Sequence, residues 1–353
     1  MTNVQQRVAG LSLPVTPPSA GAGSADVILQ ITGWPEKFAA LVAFTQLRLP
    51  DHLADGPLTL QELEQRVGAH PHLLARVLRV LEPLGMVVQI AAQTYELGSN
   101  GQTLRADVAG SMRDMVLAAA EWREPLSRLT EIVLTGRPEP FVGRKEAEGV
   151  AALPRRGRGL AGDRADAARL LASHIANMFT GEGTLMDVSG GSGIILAEVV
   201  ARNPGWRGVL LERPDLLPQA KTYLAEHGVL DLCRLVEGDV IASVPAIADT
   251  YLLFGVLHEY PDSQAEKILA NVRAAMGPAT RLICVDMLLP PGGSDPHPGL
   301  SWDMRTLVST DGGRERTGEE YLGLLERGLG FAASPKVIPL PLGLSLVVSE
   351  APA

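Results

Sequence analysis

The stretch Thr184-Leu-Met-Asp187-Val-Ser189-Gly190-Gly191-Ser-Gly193 decides the fold. It opens with a short apolar run, places an acid at Asp187 and then breaks into glycines. Ile194, Ile195, Leu196, Val199 and Val200 follow at the spacing of one helix face. Strand, glycine turn and helix in that order make the first half of a nucleotide-binding βαβ unit. Glycines there let backbone N–H groups and the helix N-terminus approach a ligand that a Cβ would hold off. Many βα turns carry glycine for geometry alone, so the loop by itself does not choose a ligand.

Downstream of this loop, strands and helices alternate. The expected strands are Thr184–Val188, Gly208–Glu212, Cys233–Glu237, Thr250–Phe254 and Arg281–Met287, with helices between them. Phe331–Ile338 and Leu344–Ser349 read as a closing hairpin. The order predicts an α/β domain whose sheet is mostly parallel, with an antiparallel pair at its end.

Upstream, the pattern is helical. Apolar residues recur at helical spacing from Asp26 to Leu49, with a break implied at Pro35. Thr59-Leu-Gln-Glu62 is a capping box that starts a helix ending at Gly68, and a second helix runs from His70-Pro71 to Leu84. Met86–Ile90 and Thr94–Leu97 read as a β-ribbon, which completes a winged-helix pattern. That pattern raises DNA binding, yet the second helix offers only Arg76 and Arg79, beside Glu82, in a chain of net charge −9. Phosphate contacts need more, so a dimerisation or substrate-lid domain is the preferred reading. Ser111–Thr135 and Ala165–Phe179 are further helical stretches, and Gly143–Asp166 is an arginine-rich segment read as a solvated loop or a lid. The expected division is an extended arm over 1–25, a winged-helix domain over 26–110, a helical linker or lid over 111–180 and a catalytic domain over 181–353.

A chain of 353 residues with 46% hydrophobic and 20% charged residues has the makings of well-buried cores. Its two cysteines, Cys233 and Cys284, sit in apolar surroundings and read as thiols of a reducing compartment. No basic start followed by an apolar core occurs, and no apolar run reaches spanning length. The expectation is a cytoplasmic protein with neither membrane nor nucleic acid as partner.

In such sheets the ligand lies outside the carboxyl ends of the strands. The second strand ends in Glu212, where an acid can grip ribose hydroxyls, and the third in Glu237-Gly238-Asp239. The fourth leads to Leu257-His258-Glu259-Tyr260, and the fifth carries Asp286. His258 lies on the ligand side and is the side chain able to take a proton near neutral pH. Asp286 and Glu315 are candidates to orient its ring, with a solvated or helix-terminal acid as the alternative for each. Thr317-Gly-Glu-Glu320 is a second capping box and reads as structural. No His/Cys/Asp cluster shows metal-ligand spacing.

From about Asp26 onward, the chain resembles the class I S-adenosylmethionine (SAM) small-molecule O-methyltransferases with an N-terminal winged-helix dimerisation domain. The family includes caffeate-type plant enzymes and bacterial antibiotic-tailoring ones. The marks are Asp187-Val-Ser-Gly-Gly-Ser-Gly193, Glu212-Arg-Pro, Gly238-Asp239, Leu257-His258-Glu-Tyr, Val285-Asp286 and Gly312-Gly-Arg-Glu315-Arg-Thr317. The resemblance implies a Rossmann-like domain with a seven-stranded sheet, SAM as cofactor with S-adenosylhomocysteine as its product, and a homodimer. It implies His258 as the general base flanked by Asp286 and Glu315. SAM would be held by Asp187, Ser189, Gly190, Gly191, Glu212, Arg213, Gly238, Asp239, Val240 and Phe254. Met115, Trp122, Met178, Trp302 and Met304 would line a site for a small aromatic substrate. A phenol and a histidine at their ordinary values leave about 3.5 pKa units, roughly 5 kcal/mol, for the site to close. Ser189 stands where the family usually has glycine, and Phe254-Gly255 where many members carry lysine. The alternatives are a SAM-binding hydroxylase, decarboxylase or cyclase on the same fold, then N- or C-methylation, then a winged-helix regulator.

Overall fold

The computed structural model describes residues 24–70, 72–108, 111–138, 165–293, 297–330, 335–340 and 343–350. Nearly all of the expected arm and of the arginine-rich segment lie outside the described residues. The described chain forms two compact units, one of residues 24–123 with 165–167 and the other of residues 124–138 with everything from Ala168.

The first unit starts with helices α1 (Ser24–Thr32), α2 (Trp34–Gln46) and the short α3 (Leu49–His52). Pro35 stands in the first turn of α2, where its missing N–H costs nothing. Strand β1 (Leu58–Thr59) leads into α4 (Leu60–Val67), and α5 (Leu73–Leu81) follows. The capping box forms as read: Thr59 Oγ1 accepts from the Glu62 N–H at 3.2 Å, and Glu62 Oε2 accepts from the Thr59 N–H at 2.8 Å. Gly68, at φ 66°, ends α4 in the left-handed conformation that glycine adopts at least cost. Strands β2 (Val87–Ala91) and β3 (Thr94–Leu97) pair antiparallel, and β1 joins β3, so the ribbon becomes a three-stranded sheet. Phe44, Leu49, Leu63, Leu74, Leu78 and Leu81 close over this unit's core. The long helix expected from Ser111 to Thr135 is broken into α6 (Arg113–Glu121), α7 (Arg123–Ser127) and α8 (Leu129–Thr135). Pro125 lies inside α7 and cannot continue a longer ladder.

In the second unit, α9 (Ala165–Ala176) precedes β4 (Gly183–Val188), α10 (Ile194–Arg202), β5 (Trp206–Glu212), α11 (Leu217–Glu226) and β6 (Cys233–Glu237). Then come β7 (Thr250–Phe254), α12 (Asp262–Ala275), β8 (Arg281–Leu289), α13 (Pro298–Ser309), β9 (Arg316–Thr317), α14 (Gly318–Leu329), β10 (Lys336–Pro339) and β11 (Leu344–Glu350). The sheet order is β10-β11-β8-β7-β4-β5-β6, with the two-residue β9 attached to β8. Strands β8, β7, β4, β5 and β6 run parallel, and β11 and β10 close the edge antiparallel, as the residue pattern predicts. The chain leaves β4 in one direction through β5 and β6, then returns to its other side at β7. This reversal puts the switch point between β4 and β7, where open α/β sheets bind ligands.

Alternate side chains explain the burial on both faces. Met186, Tyr251, Leu253, Leu282 and Cys284 pack with Ile268, Leu269 and Val272 of α12 and with Tyr321, Leu324 and Leu325 of α14. Leu185, Leu210, Leu252, Ile283 and Val285 pack on the other side with Ile175, Ile194, Leu196 and Val199. Each such burial contributes about 1.5–3 kcal/mol against leaving the side chain in water. The period of two fixes which residues at the strand ends face α12 and α14, and Asp286 is one of them.

Candidate active site

The loop after β4 folds tightly over its own acid. A Cβ on Gly190 would lie 2.2 Å from the Asp187 carboxyl carbon, so only glycine fits there. Gly191 and Gly193 take φ values of 60° and 75°, and Ser189 sits at φ 60° without glycine's freedom. Gly193 is the N-cap of α10 and makes no side-chain capping hydrogen bond. Asp187 is 1% exposed, and neither of its oxygens makes a well-directed hydrogen bond among the described residues. Burial, then the charge of Glu212, pushes its carboxyl up to about 7, against the pull of the Leu196 N–H. Glu212, at the end of β5, is also buried and accepts from the Gly191 and Arg213 N–H groups, each at 2.8 Å. Burial pushes Glu212 up, and these two N–H groups pull it back.

Other expected cofactor contacts are less gathered. Asp239 is exposed and accepts from the Ile241 N–H at 2.8 Å, which shapes the turn after β6. Val240 is buried in the core beside Val244. The Arg213 guanidinium pairs with Asp215 at the surface. A Cβ on Gly238 would come within 2.8 Å of Leu211. Phe254 ends β7, next to Gly255 at φ 63°.

At the end of β7 stands the second cluster. Leu257–Glu259 forms a 3₁₀ turn, and its His258 Nδ1 lies 2.7 Å from Glu315 Oε1. The His258 side chain keeps 19% exposure, while that of Glu315 is fully buried. With Nδ1–H given to the carboxylate, Nε2 carries the lone pair. Burial opposes charge on this ring, but the Glu315 hydrogen bond and the charges of Asp286, Glu315 and Glu259 outweigh it and raise His258 to about 9. Asp286, on β8, is 2% exposed and accepts from the Tyr321 hydroxyl at 2.7 Å. Burial pushes its carboxyl up to about 6, against the pull of His258 and Tyr321.

Glu315 is placed from three sides. Asp303 of α13 accepts its backbone N–H at 2.9 Å, and Thr306 Oγ1 lies 3.3 Å from Oε1. Directly after it, β9 pairs with β8 at Leu288 and Leu289. Arg316, 2% exposed, donates to the Leu257 and Tyr260 carbonyls, both at 2.8 Å, and to Asp262. One guanidinium thus straps the His258 turn to the strand that directly follows Glu315. A Cβ on Gly313 would lie 2.5 Å from the His258 carbonyl oxygen, so this loop can close on the turn only with glycine.

Arg316, Tyr321, Asp303 and Thr306 were not among the expected site residues. Arg316 and Tyr321 have local signals, one beside Glu315 and the other directly after the capping box at Thr317–Glu320, which forms as read. Of the expected substrate residues, Met178 packs against the core, and Trp302 and Met304 are half-buried on α13, the helix that holds Glu315. Met115 and Trp122 belong to the first unit. Cys284 is buried and Cys233 half-buried; both are free thiols. Among the described residues no helix is long and apolar enough to cross a membrane, and no group of His, Cys, Asp and Glu is arranged to hold a metal ion.

Comparison with known proteins bears on this geometry. Residues 162–332 match the O-methyltransferase domain model, and residues 36–107 match the O-methyltransferase dimerisation domain. A phenazine O-methyltransferase of Lysobacter antibioticus is 31% identical over 91% of this chain and 94% of its own. An aclacinomycin 10-hydroxylase of Streptomyces purpurascens is 30% identical over 87% of this chain and 85% of its own. Among solved structures, a methyltransferase of calicheamicin biosynthesis in its S-adenosylhomocysteine-bound form superposes with a TM-score of 0.78. It is 28% identical, with 94% of this chain and 98% of that one covered. The chain therefore belongs to the O-methyltransferase family, as a SAM-dependent methyltransferase with the family's dimerisation domain ahead of its catalytic one.

Proposed function

We propose that the protein methylates a hydroxyl, of phenolic type, on a small aromatic natural product, with His258 as the general base. The observation that carries this reading is the His258–Glu315 contact at 2.7 Å, which leaves Nε2 as the basic atom. The histidine's elevation to about 9 brings it within about one unit of an ordinary phenol, so most of the barrier to moving the proton disappears. The cost is that at neutral pH the ring holds a proton, and the rate should climb as pH rises toward 9. Glu315 and Asp286 stabilise the imidazolium while the substrate oxygen reacts.

The loop residues fit a cofactor with an ammonium group and a ribose. Asp187 offers buried oxygens that lack a directed partner, Gly190 keeps the backbone close, and Glu212 stands at the next strand end. When bound, SAM supplies the electrophilic methyl, so the chain's own tasks are alignment and removal of one proton. Trp302 and Met304 are half-buried on α13, the helix whose Asp303 and Thr306 meet Glu315, and would offer the substrate apolar surface. The dimerisation domain supports a homodimer.

A second reading is a non-methylating, SAM-binding enzyme. Ser189 at φ 60°, in place of a glycine, favours it, together with the hydroxylase relative. Incubation with methyl-labelled SAM and a panel of phenolic polyketides and phenazines separates the two. Labelled methyl ethers are expected; turnover that needs SAM yet leaves its methyl in place would establish the second reading.

A further inference from the structure

Tyr321 is a buried phenol whose role neither the family likeness nor the capping box before it explains. It is 1% exposed, and its hydroxyl lies 2.7 Å from Asp286 Oδ2. Asp286 Oδ1 makes no hydrogen bond among the described residues, so this is the one directed hydrogen bond found for the carboxylate there. Three features of the chain bring the two groups together. The β8 alternation turns Asp286 toward α14, the Thr317–Glu320 box fixes where α14 starts, and Tyr321 follows at its fourth residue. We propose that Tyr321 is a positioning residue: its hydroxyl orients the Asp286 carboxylate and keeps it charged beside His258. The proposal rests on the reading of His258 as the base.

Each alternative partner for the carboxylate is accounted for. The groups acting on Asp286 are His258 from the 3₁₀ turn, Glu315 and Arg316 around β9, and Tyr321 from α14, with the Cys284 thiol nearby on β8. His258 and Arg316 attract its charge and Glu315 repels it. Arg316 spends its guanidinium hydrogen bonds on Leu257, Tyr260 and Asp262, which leaves the Tyr321 hydroxyl as the donor. A carboxylate this buried loses its charge readily once its donor is removed. A neutral Asp286 no longer stabilises the imidazolium, and His258 becomes a weaker base. Tyr321→Phe removes the hydroxyl from Asp286 and from the Cys284 thiol and keeps the ring in the core formed with Leu253 and Cys284.

The test is a titration of ¹⁵N-histidine-labelled full-length protein, with His258 assigned by its loss in His258→Ala. It is run on the parent, Tyr321→Phe, Asp286→Asn and the double variant. The His258 midpoint is expected to fall by about one unit in Tyr321→Phe. In Asp286→Asn it should fall at least as far, and the double variant should match Asp286→Asn. Methyl transfer by Tyr321→Phe at saturating SAM should drop about tenfold, with the Kd for SAM unchanged. A midpoint unmoved in Tyr321→Phe, or moved equally in the Asp286→Asn background, would overturn the proposal. The titration does not depend on turnover, so full activity in His258→Ala would sink the base reading alone. If Tyr321→Phe lost its fold, the Asp286→Asn midpoint would still decide: one equal to the parent's removes the carboxylate, and so Tyr321, from the base.

Discussion

Two poles, each a cluster of buried carboxylates, stand at adjacent strand ends of one sheet, and they differ in what holds the carboxylates. After β4, Asp187 is buried without a directed partner and Glu212 is held by backbone N–H groups alone. After β7, Glu315 meets His258 and Thr306, and Asp286 meets Tyr321. The first pole's buried acids form no ion pair among the described residues, with only the nearby Arg213 charge drawing on Glu212, an arrangement suited to a ligand that brings positive charge and hydroxyls. The second carries its own cation and its own donors, so its geometry is set before any substrate arrives. Asp286 Oδ1 and Glu315 Oε2 stay open as well, so the contrast lies in the cation and the side-chain donors, which pre-organise the second cluster.

That contrast is open to test by mutation at either pole. The largest effect should come from His258→Ala, with the methyl-transfer rate down about 10²–10⁴-fold and SAM affinity unchanged. Single-turnover kinetics beside isothermal titration measure both, and a matching loss of SAM binding would merge the two poles into one. Glu212→Ala should do the reverse. SAM affinity should fall about 10–100-fold through the lost acceptor, while the His258 titration midpoint stays in place. A shifted midpoint would show that the poles are coupled. The smallest effect belongs to Ser189→Gly, which relieves a left-handed backbone at φ 60° and should stabilise the fold by up to about 1 kcal/mol. Chemical denaturation checks this, and an unchanged or lowered stability would mean that the hydroxyl makes a compensating bond.

The two poles also differed in how far the sequence revealed them. The glycine loop, Glu212, His258 and the parallel strands follow from local pattern, because a βα turn writes its needs into consecutive residues. The capping boxes at Thr59 and Thr317 were legible for the same reason. The contacts of Arg316 and Tyr321 were not, although each stands beside a legible motif, since their partners lie 59 and 35 residues away. In sequence, Arg316 looks like half of a solvated charge pair, and Tyr321 like a filler on an apolar helix face. Only the pairing of β9 with β8 and the seating of α14 bring both beside the cluster around His258. The Ser111–Thr135 stretch breaks into three helices, with Pro125 inside the second, where the apolar spacing alone reads as one continuous helical stretch.

The central claim is that buried acids make His258 a strong base, and the pH dependence of single-turnover methyl transfer tests it most directly. With saturating SAM and a phenolic acceptor, the parent rate should rise with pH and level off near 9, where His258 gives up its proton. Below that pH the ring is charged and the rate falls about tenfold per unit. In Glu315→Gln the hydrogen bond to a charged partner is lost, so the limb should move toward lower pH and the plateau should drop about tenfold or more. A Glu315→Gln profile that overlays the parent's, limb and plateau alike, would contradict the account.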